Sequence, residues 1–266
     1  MGYIETFTKN LGYVDENRTI RVYLPDGYKE GTARYPVVYM HDGQNVFAAE
    51  TSVFGSCWEV SATLKAMEDA GETEGIIVVA IDSNHKRRFD DYSPWKRTID
   101  SVSHIPENAG GDGEKYAHFV VHTLKPWIDS HYRTLPDRAH TAICGSSMGG
   151  LITAYIAEKE KETFSCAGVF SLASWFAQGN FDAFMASLKD NRGTRYFVQV
   201  GTAEDILVPE HNMPQLFLDG TMQYVWALLR CGVHPDDIRL KIHLEGGHNE
   251  SIWAQYMRDF FLYFLD

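Results

Sequence analysis

The chain has 266 residues, 44% of them hydrophobic and 13% aromatic, which is enough for a sizeable core and argues against disorder. Its formal net charge of −12 disfavours nucleic acid or an anionic membrane surface as a partner. Met1–Asn10 has no apolar centre, no apolar run reaches the length of a membrane span, and the 4 cysteines are scattered. We therefore expect a reduced cytoplasmic protein without a signal peptide or membrane partner.

Short β-rich runs alternate with longer segments of helical spacing along the chain. The predicted strands are Ile4–Thr8, Thr19–Leu24, Tyr35–Met40, Gly75–Ile81, Ala139–Cys144, Ala167–Phe170, Tyr196–Val200 and Arg239–Leu244. The predicted helices are Trp58–Ala70, Glu114–His131, Gly149–Lys161, Gln215–Cys231 and Ser251–Phe264. No linker, repeat or low-complexity tract interrupts this alternation, so we expect a single domain over residues 1–266.

This order of elements predicts an α/β fold with a mostly parallel central sheet and helices on both of its faces. The first two strands are separated by too little chain for a crossover helix, so they are expected to be antiparallel. Ligands of such sheets bind beyond the carboxyl ends of the strands. Residues that directly follow a strand are therefore the candidates for the functional site.

The sequence Gly145-Ser146-Ser147-Met148-Gly149 follows one predicted strand and precedes a predicted helix. In that setting, G-x-S-x-G forms a sharp turn that exposes the central serine as a nucleophile. The register selects Ser147, and it places the backbone N–H of Met148 where a carbonyl oxygen would arrive. A side chain at Gly145 or Gly149 would crowd the turn.

A serine nucleophile needs a base and an acid that orients the base. His248 is the candidate base because it follows the last predicted strand, through Glu245-Gly246-Gly247. Two adjacent carboxylates, Glu204 and Asp205, follow the preceding strand. We select Glu204 as the acid and keep Asp205 as the alternative. The order serine, acid, histidine is that of the α/β-hydrolases.

A second oxyanion donor is expected from the loop after the third strand, His41-Asp42-Gly43-Gln44-Asn45. The site needs a backbone N–H there, so the flexibility of Gly43 matters more than any side chain. His41 and Asp42 alone are weak evidence for a metal. His118 and His122 have helical spacing but lack the glutamate of a zinc protease helix. We predict no metal site.

The chain resembles the putative esterase (esterase D-like) family of the α/β-hydrolases, which includes feruloyl esterases and siderophore esterases. The resemblance spans nearly the whole chain and is carried by Arg21–Pro25, Met40–Asn45, Trp58, Arg88 with Tyr92–Pro94, Tyr116 with Phe119, Leu124–Pro126, Gly145–Gly150 and Gly201–Glu204.

The resemblance implies that Ser147 is the nucleophile, that His248 is the base, and that the oxyanion donors are the amides of Gln44 and Met148. It places the acid at the fourth position of a Gly-Thr-x-Asp/Glu turn, which is Glu204, and it implies no metal or organic cofactor.

The predicted function is that of a serine carboxylesterase that hydrolyses a small-molecule ester through an acyl-enzyme. An acyltransferase and a non-catalytic binding protein on the same fold are the alternatives, and a homo-oligomer stays open. The substrate also stays open among siderophore lactones, hydroxycinnamoyl esters, acetyl-sugar esters and simple short-chain esters. Arg87 and Arg88 either grip a substrate anion or pair with Asp90 and Asp91. Candidate pocket residues are Phe89, Tyr92, Trp95, Trp175 and Phe176.

Overall fold

An eight-stranded mixed sheet organises the protein, which the computed structural model describes over residues 2–52, 55–100, 105–189, 193–206 and 211–266. The strands are β1 Tyr3–Asn10, β2 Asn17–Leu24, β3 Val37–His41, β4 Ile77–Ile81, β5 Thr141–Ser146, β6 Cys166–Phe170, β7 Arg195–Gly201 and β8 Ile238–His243. Their spatial order is β1-β2-β4-β3-β5-β6-β7-β8.

The strand pairing confirms the predicted fold class. β1 pairs antiparallel with β2, and β2 pairs antiparallel with β4. From β4 to β8, every neighbouring pair is parallel. The carboxyl ends of β3, β5, β6, β7 and β8 therefore meet along one edge of the sheet, where the predicted site residues lie.

Helices cover both faces of this sheet. They are α1 Val60–Asp69, α2 Arg88–Asp91, α3 Gly113–His118, α4 Lys125–His131, α5 Met148–Lys159, α6 Gln178–Ser187, α7 Met213–Arg230, α8 Glu250–Ala254 and α9 Met257–Leu265. Alternate residues of the buried strands enter different cores: Tyr39 packs in a core with α5 and α7, and Met40 in a core with α1 and α9. Among the described residues, no helix combines the length and apolarity that a membrane span requires.

The helices differ from the sequence prediction in four places, of which the first is the four-residue helix α2, which was not predicted. The predicted segment Glu114–His131 is helical throughout, but Phe119–Leu124 forms a π-helical turn. The predicted final helix is two helices, α8 and α9, because α8 holds Trp253 against the site while α9 buries Phe260 in the core. Helix α6 was not predicted, since only Phe181 and Met185 are buried on it and two apolar positions make a weak periodic signal.

Candidate active site

Ser147 lies in a sharp turn between β5 and α5. Its backbone has φ 59° and ψ −124°, a conformation that non-glycine residues rarely adopt. Main-chain bonds hold it there: its N–H donates to the Phe170 carbonyl at 3.0 Å, and its carbonyl accepts from the N–H groups of Leu151 at 3.0 Å and Ala173 at 3.2 Å. Strained backbone persists only where the surroundings fix it in this way, and such residues concentrate at functional sites.

The sequence predicts that a side chain at Gly145 or Gly149 would crowd this turn; space excludes a side chain at Gly145 and Gly150, and the fit at Gly149 is tight. A Cβ on Gly145 would lie 2.6 Å from the carbonyl oxygen of Gly149, and a Cβ on Gly150 would lie 2.8 Å from that of Phe170. A Cβ on Gly149 would lie 3.3 Å from a carboxylate oxygen of Asp42. The last distance also shows that the start of α5 packs directly against the loop that follows β3.

Glu204 and His248 meet across the ends of the neighbouring strands β7 and β8. Oε2 of Glu204 lies 2.6 Å from Nδ1 of His248, and the Glu204 carboxylate is fully buried. Asp205, the alternative acid, is exposed. The imidazole packs between the rings of Phe217, with centroids 4.7 Å apart, and Trp253, with centroids 5.0 Å apart.

The second carboxylate oxygen of Glu204 is also fully engaged. Oε1 accepts from the Ser171 hydroxyl at 2.6 Å and from the Gly201 N–H at 2.6 Å. The Ser171 hydroxyl in turn accepts from the indole Nε1 of Trp253 at 2.8 Å. Sequence analysis missed both side chains. Ser171 directly follows β6, so the strand-end rule points at it, but Trp253 lies on a helix and carries no such signal.

Within the described residues, the Ser147 hydroxyl makes no hydrogen bond, and Nε2 of His248 also has no partner. The structure thus joins two of the three predicted side chains directly and leaves the third unbonded. Catalytic hydrogen bonds in ligand-free enzymes are often long and tighten only when substrate binds. Because Nδ1 of His248 is hydrogen-bonded to Glu204, Nε2 is the ring nitrogen that remains free, and a base needs such a nitrogen to accept the serine proton.

The turn Asp42–Asn45 follows β3, and its Gln44 N–H has no hydrogen-bond acceptor among the described residues. Over the described residues, neither the N–H of Gln44 nor that of Met148 donates to another protein atom. The Gln44 side chain is held by Ser83, to which its Nε2 donates at 3.0 Å and from whose N–H its Oε1 accepts at 2.9 Å. A Cβ on Gly43 would lie 2.7 Å from the Ala80 carbonyl carbon, so glycine is needed for this close approach.

Buried polar groups support this turn from below. Both carboxylate oxygens of Asp42 accept from Arg88 at 2.8 Å, and the Asp42 N–H donates to the Tyr92 hydroxyl at 3.0 Å. Burial alone would raise the pKa of Asp42, but the charge and hydrogen bonds of Arg88 hold that pKa below its ordinary value. Burial lowers the pKa of the neighbouring His41 to about 4, and its Nδ1 lies 2.9 Å from the Tyr116 hydroxyl.

For Arg87 the structure supports the alternative of pairing with Asp91, and for Arg88 it shows a partner that neither alternative named. Arg87 pairs with Asp91 at 3.2 Å and with Asp112 at 2.7 Å. Arg88 pairs with neither Asp90 nor Asp91, because its guanidinium is taken by Asp42. Both arginines therefore have internal carboxylate partners.

A buried carboxylate joins the Asp42–Asn45 turn to the segment that follows His248. Oε1 of Glu250 accepts from Nδ2 of Asn45 at 2.8 Å, and only 3% of Glu250 is exposed. Burial raises the pKa of Glu250; the nearby charge of Asp42 adds to this shift and that of His248 opposes it. Sequence analysis missed this pair, since 205 positions separate its members.

The candidate pocket aromatics lie in four different settings, and Trp95 packs on Tyr155 with ring centroids 5.7 Å apart. Tyr92 is fully buried beneath the Asp42–Asn45 turn and supports it. Trp175 packs on Phe217, the ring beside His248, with centroids 5.9 Å apart. Phe89 and Phe176 stack at 5.7 Å. In the part of the chain that the structure describes, no group of three or more His, Cys, Asp or Glu residues could hold a metal ion.

Comparisons with known proteins agree with this architecture. The model of the family described as Putative esterase matches residues 12–263. An uncharacterized protein of Bacillus subtilis, YbbA, is 23% identical over 239 residues, which are 90% of this chain and 89% of that protein. The siderophore hydrolase EstB of Aspergillus nidulans superposes with a TM-score of 0.72 at 16% identity, covering 97% of this chain and 94% of that one. A ferulic acid esterase of Anaeromyces mucronatus superposes with a TM-score of 0.68 at 18% identity, covering 100% and 92%.

Proposed function

We propose that this chain, which belongs to the Putative esterase family, is a serine carboxylesterase that works through an acyl-enzyme. In this proposal Ser147 attacks the ester carbonyl, His248 takes the serine proton, and Glu204 orients the imidazole. His248 then passes that proton to the departing alcohol. Water attacks the acyl-enzyme with His248 again as base, and the acid is released.

The observation that carries the proposal is the contact between Glu204 and His248. A carboxylate can only accept, so a bond of 2.6 Å from Nδ1 places the imidazole proton on that nitrogen and leaves a lone pair on Nε2. The buried carboxylate also stabilises the imidazolium that forms when Nε2 takes the proton.

The uncommitted amides of Gln44 and Met148 are the proposed oxyanion donors. Met148 opens α5, so its N–H lies at the positive end of the helix dipole, where developing negative charge is favoured. Loss of one such donor typically raises the barrier by about 3 kcal/mol. Since backbone amides supply both donors, side-chain substitutions at these two positions are expected to leave the donors in place.

The proposed substrate is a small-molecule carboxylic ester. Phe217 packs against the imidazole and Trp175 packs against Phe217, and both rings are buried, so they form the apolar support of His248. Two structural relatives are named as a siderophore hydrolase and a ferulic acid esterase, which makes these two ester classes the first candidates. Rates on methyl ferulate, a catecholate trilactone and an acetylated sugar would rank these classes.

The direct test is hydrolysis of p-nitrophenyl acetate by Ser147→Ala. We expect kcat/KM to fall by about 10⁶-fold, because the nucleophile of a triad acts as a unit with its base. Ser146→Ala is the matched control, since Ser146 is the neighbouring buried serine at the end of β5, and it should keep the wild-type rate within about tenfold. Undiminished hydrolysis by Ser147→Ala would overturn the proposal.

A further inference from the structure

Ser171 has an unusual backbone for a buried serine. It directly follows β6, is fully buried and has φ 44°, in the left-handed region that favours glycine. Its N–H donates to the Gln199 carbonyl at 2.7 Å, which fixes the main chain in this conformation. A glycine would adopt the same backbone with less strain, so the side chain is what needs explanation.

The donor and the acceptor can be assigned for each hydrogen bond of the Ser171 hydroxyl. The indole Nε1 of Trp253 can only donate, so its 2.8 Å bond makes the Ser171 oxygen the acceptor. The hydroxyl proton is therefore directed to Oε1 of Glu204, 2.6 Å away. Oε1 also accepts from the Gly201 N–H, which leaves Oε2 to accept from His248.

We propose that Ser171 is a positioning residue that fixes the rotamer of the Glu204 carboxylate and, through it, the tautomer and direction of the His248 imidazole. Trp253 contributes by setting the direction of the Ser171 hydroxyl. This inference rests on the proposed function and adds a residue to it. Neither Ser171 nor Trp253 is assigned contact with substrate; both act through Glu204.

The test compares Ser171→Gly with Ser171→Ala. Both substitutions remove the hydroxyl, but glycine relieves the strain at φ 44°, so the glycine variant is expected to fold at least as stably as the alanine variant. We expect kcat on p-nitrophenyl acetate to fall by about tenfold or more in both, with KM unchanged, because a hydrogen bond to a charged group is lost. Trp253→Phe should give a smaller decrease, because the hydroxyl remains but loses its directing donor.

Ser174→Ala is the matched control. Ser174 is fully buried in the same segment, and its hydroxyl has no hydrogen-bond partner among the described residues. A second readout does not depend on turnover: the proton on Nδ1 of His248, in its short bond to Glu204, should give a low-field proton NMR resonance. That resonance should shift in both Ser171 variants and stay unchanged in Ser174→Ala.

A folded Ser171→Gly with wild-type kcat and an unshifted resonance would overturn the positioning role. Equal effects of Ser174→Ala and Ser171→Gly would also overturn it, because they would indicate a general packing effect. The two proposals fail separately. If Ser147→Ala is inactive while Ser171→Gly keeps full activity, the esterase mechanism stands and only the role of Ser171 is lost.

Discussion

The two sides of the candidate site use hydrogen bonds in opposite ways. On one side, the acid–histidine cluster of Ser171, Glu204, His248 and Trp253 bonds internally, and every carboxylate oxygen has a protein donor. On the other side, the Asp42–Asn45 turn and Met148 keep two main-chain N–H groups without a protein acceptor in the described residues. The first side fixes the protons, and the second leaves two donors open, which we propose bind a substrate oxygen.

The open side is nevertheless rigidly supported. Arg88 and Tyr92 bind Asp42 and Ser83 binds the Gln44 side chain, so the turn is held through groups other than its free amide. Both sides also contain backbone strain, since Asp42, Ser147 and Ser171 all have positive φ. Strain of this kind is retained where the surrounding contacts fix it, which fits a site with preset geometry.

After the loss of Ser147, the largest expected effect comes from a change in the acid–histidine cluster. Glu204→Gln should lower kcat by about 10⁴-fold, because an amide can present a donor to Nδ1 and favour the wrong tautomer. Asp205→Asn is the control; Asp205 is adjacent but exposed, so its loss should leave kcat nearly unchanged. Steady-state kinetics on p-nitrophenyl acetate measure both, and a larger loss in Asp205→Asn would reverse the assignment of the acid.

The next largest effect is on stability and concerns His41, which is buried beside the Asp42–Asn45 turn. Burial lowers the pKa of His41 from 6.5 to about 4, so between these values the unfolded chain binds a proton that the folded protein excludes. Stability is therefore lost as the pH falls through this window, by up to about 3 kcal/mol. In His41→Gln this part of the pH dependence should disappear, as urea unfolding between pH 7 and pH 4 would show.

His122→Gln is the control for the removal of a histidine as such, because about half of the His122 side chain is exposed whereas His41 is buried. The pH dependence of the unfolding free energy should change more in His41→Gln than in this variant. If His41→Gln and the wild type lose stability in parallel between pH 6.5 and pH 4, the buried neutral state assigned to His41 is wrong.

The smallest effect tests the bond that joins the two sides. Asn45→Ala removes the donor to Glu250 and should lower kcat by about tenfold with little change in KM, because the Gln44 amide loses part of its positioning. Glu250→Gln keeps an acceptor for Asn45 and should retain most of the activity. A larger loss in Glu250→Gln than in Asn45→Ala would indicate that the charge of Glu250, and not the bond, matters.

The fold and the positions of the main site residues could be predicted because both depend on local patterns. Alternating strands and helices predicted the sheet, and the rule that ligands bind at strand ends selected Ser147, Glu204 and His248. Glu204 was selected over Asp205 from the residues alone, and the family resemblance supported that choice. In the structure Glu204 contacts His248, and its catalytic role stays a prediction.

The supporting contacts could not be predicted, because they join side chains that the sequence does not pair. The carboxylates nearest to Arg88 in the sequence are those of Asp90 and Asp91, yet its partner in the structure is Asp42, 46 positions away. Ser171 has no motif that separates it from other serines, and its role depends on a left-handed backbone and an indole from α8. Such pairs are fixed by tertiary packing alone.

The most direct test of the central claim is covalent labelling with a fluorophosphonate, followed by mass spectrometry of the intact protein and its peptides. The reagent reacts with a serine only where a base has activated the hydroxyl. We predict one adduct per chain, located on Ser147, and almost no labelling of His248→Ala. An adduct on another residue, or an active esterase that takes up no label, would contradict the account.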